Sequence, residues 1–506
     1  MENIKLLRTL FSMALMISLV SCELNDDENF PDPTYPDPIV EVGGVTELNL
    51  GVSQFVNIPN LSVEGAVGIT SIRVSENGNV LDVQQFDGTS GLINTSFSYQ
   101  IPQDWFDTSR VVNFTATDTQ NNTGQISITV NVSDITPQYT IEDITLNGQP
   151  FKRITGTINF NETLDANNLW IISGEVNVSQ QTTLTILEGT QIYAETSETR
   201  LLIDQLAFLD AQGTSTNPVV FNSLANAPGQ SGDTSAGQWS GIGLTGSGGT
   251  DSSGTMRYVR VMYPGSNDDA IQLTNVGSGT VFEYIQVYRS PDNGFRINEG
   301  TINLRYLVAT DGEDSGLRVD DGWIGACQFL VINSTGTDNH VEARDNANLL
   351  ISNVTITGIG FNDTSEDPNG GGFRIRNGAA SQIYNTVVTG VDRSLRFSNG
   401  SEATVQDGTS FFANSASFGN DEDDGTGFHS TADFFNPTDG DYIPSFNNSV
   451  TPFTITDSYV GTDTSNSTPA GILNPFFADV NYIGAVEVGN DWTVGWCVNI
   501  DGTLRN

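Results

Sequence analysis

Six short segments of this chain can be laid over one another: Asp269-Ala-Ile-Gln-Leu273, Asn293-Gly-Phe-Arg-Ile297, Ser315-Gly-Leu-Arg-Val319, Asn339-His-Val-Glu-Ala343, Gly371-Gly-Phe-Arg-Ile375 and Arg393-Ser-Leu-Arg-Phe397. Their fourth positions are Gln272, Arg296, Arg318, Glu342, Arg374 and Arg396. A guanidinium is planar and always charged, and its fork grips a carboxylate or sulfate through two parallel hydrogen bonds. Stacked as neighbouring strands, roughly 4.8 Å apart, the segments place Arg296 over Arg318 and Arg374 over Arg396. Like charges that close need a counter-charge. An anionic ligand such as an acidic glycan, held by Arg296, Arg318, Arg374 and Arg396 with Glu342, would supply it. So would the chain itself. Four residues before each of these sites stands Asp268, Asp292, Asp314, Asp338, Gly370 or Asp392. That acidic ladder would neutralise the arginines or cap turns, and the internal pairing is the weightier reading.

The same aspartates, Asp268, Asp292, Asp314, Asp338 and Asp392, could bind Ca²⁺ through hard oxygen ligands. A second acidic run, Asp421-Glu-Asp-Asp424-Gly425, lacks the alternating spacing and distal Glu of a calcium loop. Catalytic signatures are scarce. The repeat columns contain no lysine, and His340 and His429 are the only histidines. His340 stands where other segments carry Ala, Gly or Ser, which suits a rim residue. Paired carboxylates at glycosidase spacing arise by accident in any stacked ladder, so they discriminate nothing. Polygalacturonase signatures (Gly-His-Gly, Asn-Thr-Asp) and a serine nucleophile elbow are absent. No catalytic residue is assigned, and the sequence leans away from an enzyme.

A second column keeps the same period: Arg257-Tyr-Val, Glu283-Tyr-Ile, Arg305-Tyr-Leu, Gln328-Phe-Leu, Asn353-Val-Thr and Asn385-Thr-Val. Both columns repeat every 22–26 residues except across one insert at 361–371, where the interval is 32. Short apolar segments at that period, with Gly/Asn/Asp turns between them, predict the coils of a parallel β-helix. Leucine-rich and helical solenoids fail for want of a Leu/Asn consensus and a helical period. Alternation points Ile271, Phe295, Leu317, Val341, Phe373 and Leu395 inward. It does the same for Leu273, Ile297, Val319, Ala343, Ile375 and Phe397, and it turns the residue between each pair outward. Cys327 lies in the second column and should face the core. A Cys327–Cys497 disulfide is open to an exported chain if its tail folds back beside the fourth coil.

Residues 44–134 alternate in short runs, among them Val111-Val112-Asn113-Phe114 and Ile126-Ser127-Ile128-Thr129-Val130, with turns such as Asn77-Gly78. About seven such runs in some 90 residues is the pattern of an antiparallel β-sandwich. Residues 23–43 hold prolines at 31, 33, 36 and 38 among acids, too polar to fold and kept extended. Ahead of them, Lys5 and Arg8 precede an apolar stretch from Leu10 to Val20, too short to span a membrane as a helix. It ends in Leu19-Val20-Ser21-Cys22.

That ending resembles a bacterial lipobox, which implies cleavage before Cys22 and lipid on Cys22. The acids that follow, Glu23, Asp26, Asp27 and Glu28, resemble the surface-export signal of Bacteroidota lipoproteins. Phe114-Thr-Ala-Thr-Asp118, Gly124 and Ile128-Thr-Val-Asn-Val132 resemble Ig-like spacer modules of bacterial surface proteins. Thr183-Leu-Thr-Ile-Leu-Glu-Gly-Thr190, Asn217-Pro-Val-Val-Phe221 and Tyr482-Ile-Gly-Ala485 through Asp491-Trp-Thr-Val-Gly-Trp496 resemble exported right-handed β-helix lipoproteins of the same group. The resemblance implies fold and location over roughly 140–506, and no activity.

The expected organisation is a signal peptide at 1–21, an acidic Pro-rich tether at 22–43, an Ig-like sandwich at 44–134, a right-handed parallel β-helix at 140–440 and a capping region at 441–506. The fold class is all-β. The chain has 506 residues, 19 Lys+Arg against 61 Asp+Glu and a net charge of -42. With two lysines and no basic patch, it is not built for nucleic acid. Yet 11 of its 17 arginines fall between 257 and 396, against 17 acids, so the middle coils are nearly balanced. The expectation is a lipid-anchored outer-membrane protein, facing outward, whose β-helix flank binds a polysaccharide or other extracellular ligand. A TonB-dependent uptake complex is the partner this implies. A polysaccharide lyase or hydrolase with a non-standard site and a structural adhesin are the alternatives.

Overall fold

The computed structural model describes residues 35–52, 54–133, 136–334, 339–358, 371–420, 431–435 and 446–506. The lipobox-like segment with Cys22, Asp338, the run at 421–425 and His429 lie outside the described residues.

Two sheets form the N-terminal sandwich. Ile39–Val42, Phe55–Glu64 and Leu92–Gln100 make one. Glu47–Leu50, Thr123–Val132, Thr108–Asp118, Ile69–Glu76 and Asn79–Gln85 make the other in that order, with Glu47–Leu50 parallel to its neighbour and the rest antiparallel. Period-two alternation drives the packing: Val112, Phe114 and Ala116 face in and meet Ile58, Leu61 and Val63 from the facing sheet. The first strand falls within the residues read above as tether, because Val40 and Val42 alternate inward and are buried.

A hairpin, Gln138–Leu146 with Gln149–Ile158, opens the second domain, and its second strand pairs in parallel with Leu169–Val178. From there the chain winds as a parallel β-helix with three faces. Face A stacks Arg200–Ile203, Gly241–Thr245, Ile271–Thr274, Phe295–Asn298, Leu317–Asp320, Asn339–Ala343, Gly371–Arg376 and Leu395–Ser398. Its register is the one read from the first column, Gln272 over Arg296, Arg318, Glu342, Arg374 and Arg396. All twelve residues expected to point inward are at most 1% exposed.

Faces B and C share long strands that turn a corner within themselves: Gly254–Met262, Val281–Tyr288, Leu304–Thr310, Ala326–Asn333 and Asn348–Thr357. The corner is one residue with positive φ: Tyr258 (51°), Tyr284 (57°), Tyr306 (58°), Phe329 (60°) and Asn353 (58°), then Asn385 (49°) between Ala380–Tyr384 and Val387–Thr389. A left-handed aromatic residue costs about 1–2 kcal/mol. Stacking offsets part of it, with ring centroids 4.4 Å apart for Tyr258–Tyr284, 4.2 Å for Tyr284–Tyr306 and 4.7 Å for Tyr306–Phe329. Asn tolerates this conformation locally and continues the column. The register pairs Gln328 with Ser352 and Ser352 with Tyr384. Asn353 and Asn385 therefore follow Phe329, one place later than the second column was aligned.

Residues 446–506 double back along faces B and C. Amide side chains at and beside the corner receive them as a strand would. Gln286 Oε1 accepts from Val498 N at 2.8 Å and Gln286 Nε2 donates to Val498 O at 2.8 Å. Gln328 does the same to Ala478, at 2.7 and 3.0 Å, and Asn385 to Thr468, at 2.9 Å each way. The tail thus climbs from the Asn385 coil to the Gln286 coil. It does not bring a disulfide with it: Cys327 and Cys497 are free and buried. Cys327 packs inside the coils, whereas Cys497 packs outside them with Val308 and Val331. The sheet wall stands between the two.

Candidate functional site

Among the described residues, the hydrogen bonds and apolar clusters that join the returning tail to the coils fall on faces B and C and their corner. Face A keeps its outer side. Two columns point out there. The first is the one anticipated. The second, two residues on, reads Thr274, Asn298, Asp320, Arg344, Arg376 and Ser398.

The columns interlock by charge. Asp320, with a fully buried side chain, accepts from Arg296 Nε at 3.2 Å, Arg318 Nε at 2.9 Å and Arg344 Nε at 2.8 Å. Glu342 takes Arg376 Nε at 2.6 Å and lies 3.7 Å from Arg318 Nε. In each pair the carboxylate lies beneath and the guanidinium is held by its inner nitrogen. Among the described residues, the Nη atoms of Arg318, Arg344 and Arg376 make no hydrogen bond to protein, and none is a buried atom. Elsewhere on the coils Arg289 is also held by Nε, 2.7 Å from Asp311, while other arginines use Nη. Arg200 Nη1 meets Asp268 at 2.7 Å, and Arg257 Nη2 and Arg305 Nη2 meet Glu283 at 2.9 and 3.4 Å.

Arg374 stands apart. Glu342 lies beside it in register but is taken by Arg376 and Arg318. Arg374 has no carboxylate among the described residues, and its Nε is buried without a hydrogen bond. Arg396, next in the column, is itself engaged.

Counter-charges for Arg296, Arg318, Arg344 and Arg376 thus come from within the chain, from Asp269, Asp320 and Glu342. Asp268, Asp292 and Asp314 accept from the backbone N–H of the next residue at 2.9, 2.8 and 2.7 Å. They secure turns, and Asp268 also reaches Arg200. Asp392 is half-buried and engaged. Among the described residues no three His, Cys, Asp or Glu side chains converge as a metal site would require.

The acids that matter, Asp269, Asp320 and Glu342, include two that the columns missed. Applying strand alternation one step further, to the i+2 position, would have found Asp320, Arg344 and Arg376. Asp269 Oδ1 accepts from Asn293 Nδ2 at 2.7 Å and Oδ2 lies 3.3 Å from Arg296 Nη1. Burial pushes the Asp269 carboxyl up to about 6, against the opposing pull of Asn293 and Arg296. Burial lowers Arg296, but Asp269 and Asp320 more than offset it and hold the guanidinium above its ordinary value. His340 is no rim residue: it is 5% exposed, with Nδ1 3.0 Å from Gly371 O. The next strand lies over it, and a Cβ on its Gly371 or Gly372 would stand within 2.6 Å of Arg393 O or Ser394 O one coil further on.

A model of the pectate-lyase-like β-helix domain matches residues 156–496. No curated protein matches the chain. Among solved structures, the catalytic domain of a GH87 alpha-1,3-glucanase in complex with tetrasaccharides aligns at 9% identity over 66% of this chain and 84% of its own. Its TM-score of 0.15 is too low to bear on fold or function. The family model spans about two thirds of the chain, from the first coil to the tail that covers faces B and C, and the chain belongs to the family of pectate-lyase-like β-helix domains.

Proposed function

We propose that face A binds an acidic polysaccharide, or another extracellular polyanion, on a protein anchored to the outer membrane through Cys22. One observation carries this: buried carboxylates hold Arg296, Arg318, Arg344 and Arg376 by Nε, and the Nη edges of three of them are left to the outside. Guanidiniums fixed beforehand lose little freedom on gripping a carboxylate or sulfate. Membership in a pectate-lyase-like family supports a polysaccharide as the ligand. The lipobox supports the anchor, and a TonB-dependent uptake complex is the partner such a surface protein would serve.

The test is affinity electrophoresis of the mature chain through gels holding polygalacturonate, alginate or chondroitin sulfate, with a neutral glucan beside them. Retardation by the acidic gels alone, lost in Arg374→Ala, is expected. Equal mobility in all gels would remove the reading. Ultraviolet absorbance of unsaturated ends in the same mixtures would move the site to a lyase. Cys22→Ala should shift the protein from membrane to soluble fraction.

A further inference from the structure

A cavity of about 450 Å³ lies away from face A, between the sandwich and the β-helix. One wall is the sandwich turn at 41–46 with Asn60, Ser62 and Ile126, and the other is the coil loop at 247–251. Its size and its place between two domains are those of ligand sites rather than packing faults.

The cavity is built, not accidental. Asn60 Nδ2 donates to Asp251 Oδ1 at 2.5 Å and ties the two walls together. Asp251 is 2% exposed, and its carboxylate also accepts from Ser252 N at 2.8 Å and Ser247 N at 2.6 Å. Gly249 O accepts from Ser278 N of the next coil at 2.9 Å, which pins the loop. Gly44 and Gly249 both have positive φ, and no atom lies within 4 Å of where a Cβ would stand on either. Both walls therefore present bare backbone to open space.

The lining selects a ligand class. Its charged groups are Glu41 and Asp251, and no lysine or arginine lines it. A polyanion such as face A would take is repelled here. Asp251 is already satisfied, which leaves the exposed Glu41 as the carboxylate able to accept from a ligand. Thr46 and Thr250 add hydroxyls, and the half-buried Ile126 adds an apolar contact. Hydroxyls that donate to a carboxylate and accept from threonine, on a ring with one apolar side, describe a sugar.

We infer that this interdomain cleft is a second binding site, for a neutral saccharide, with the sandwich and the β-helix each contributing a wall. The site is independent of the arginine columns.

Isothermal titration of the mature chain against cellotetraose, xylotetraose, mannotetraose and the N-acetylglucosamine tetramer tests it. Thr46→Trp and Thr250→Trp fill the cleft from opposite walls, and both threonines are exposed, so unchanged melting temperatures will show the variants folded. Binding of at least one tetramer is expected, weakened tenfold or more by each tryptophan and unaltered by Arg374→Ala. No binding to any of the four overturns the inference, as does binding that both tryptophan variants leave intact.

Discussion

Asp320 and Arg374 sit two strands apart on face A, yet their removal should have opposite consequences. Asp320→Ala takes away the one buried carboxylate that three guanidiniums share. Breaking a buried charged network by one partner costs about 3–5 kcal/mol, so denaturant melts should show a loss of that order and weaker polyanion binding with it. Arg374→Ala strands no carboxylate. Its stability should stay within about 0.5 kcal/mol of wild type, while affinity for an acidic polysaccharide falls roughly tenfold or more, the value of a charged hydrogen bond. A large drop in melting temperature with binding intact would reverse that assignment. Asp269 adds a pH dependence. Its folded value, about 6, lies above its ordinary 3.8, so the folded chain holds that proton more tightly. The contribution is therefore fully present below about pH 4, declines as pH rises through about 6, and is gone above that. Between neutral and about pH 4, wild type should gain on the order of 2 kcal/mol relative to Asp269→Asn. Parallel pH curves for the two proteins would count against it.

Coils and tail obey different rules. A coil strand is legible because side chains alternate with period two, and a column of apolar residues survives every substitution that keeps volume. Face A was read in register for that reason. The corner between faces B and C was read one residue out at Asn353 and Asn385, because a left-handed residue interrupts the alternation and its aromatic members resemble core positions. The tail left no periodic trace at all. It is held by amides at scattered sites, each useful only once the coils exist. Gln286 is fully buried and makes both bonds to Val498. Gln286→Ala leaves a buried N–H and C=O without partners, at about 1–3 kcal/mol each. Faster hydrogen exchange at residues 496–500, ahead of global unfolding, is expected. The Asp ladder belongs to this scale as well. Asp268, Asp292 and Asp314 secure turns with their carboxylates, so millimolar calcium should leave the melting temperature unchanged. A rise of several degrees would restore a metal to the ladder.

At the scale of the molecule, a net charge of -42 surrounds a face whose two outward columns carry six arginines and two acids. Exposed charges are screened within about 10 Å at 0.1 M salt. Polyanion binding on face A should therefore weaken several-fold as salt rises from about 0.05 to about 0.5 M, while a neutral saccharide in the interdomain cleft is held as well as before. Titrations at two salt concentrations separate the sites.

Residue order alone determined that this chain is all-β, that a β-sandwich precedes a coiled repeat, and that its arginines gather in the middle coils. Each of these is a local pattern, of alternation, period or composition, and survives without knowing what lies opposite. Tertiary structure decided the rest. It gave Asp320 and Glu342 to Arg296, Arg318, Arg344 and Arg376 as partners, set a sheet between Cys327 and Cys497, and closed a cleft between Asn60 and Asp251, 191 residues apart. Ion pairs, disulfides and cavities depend on distances across the fold, and those exist only once coil has stacked on coil.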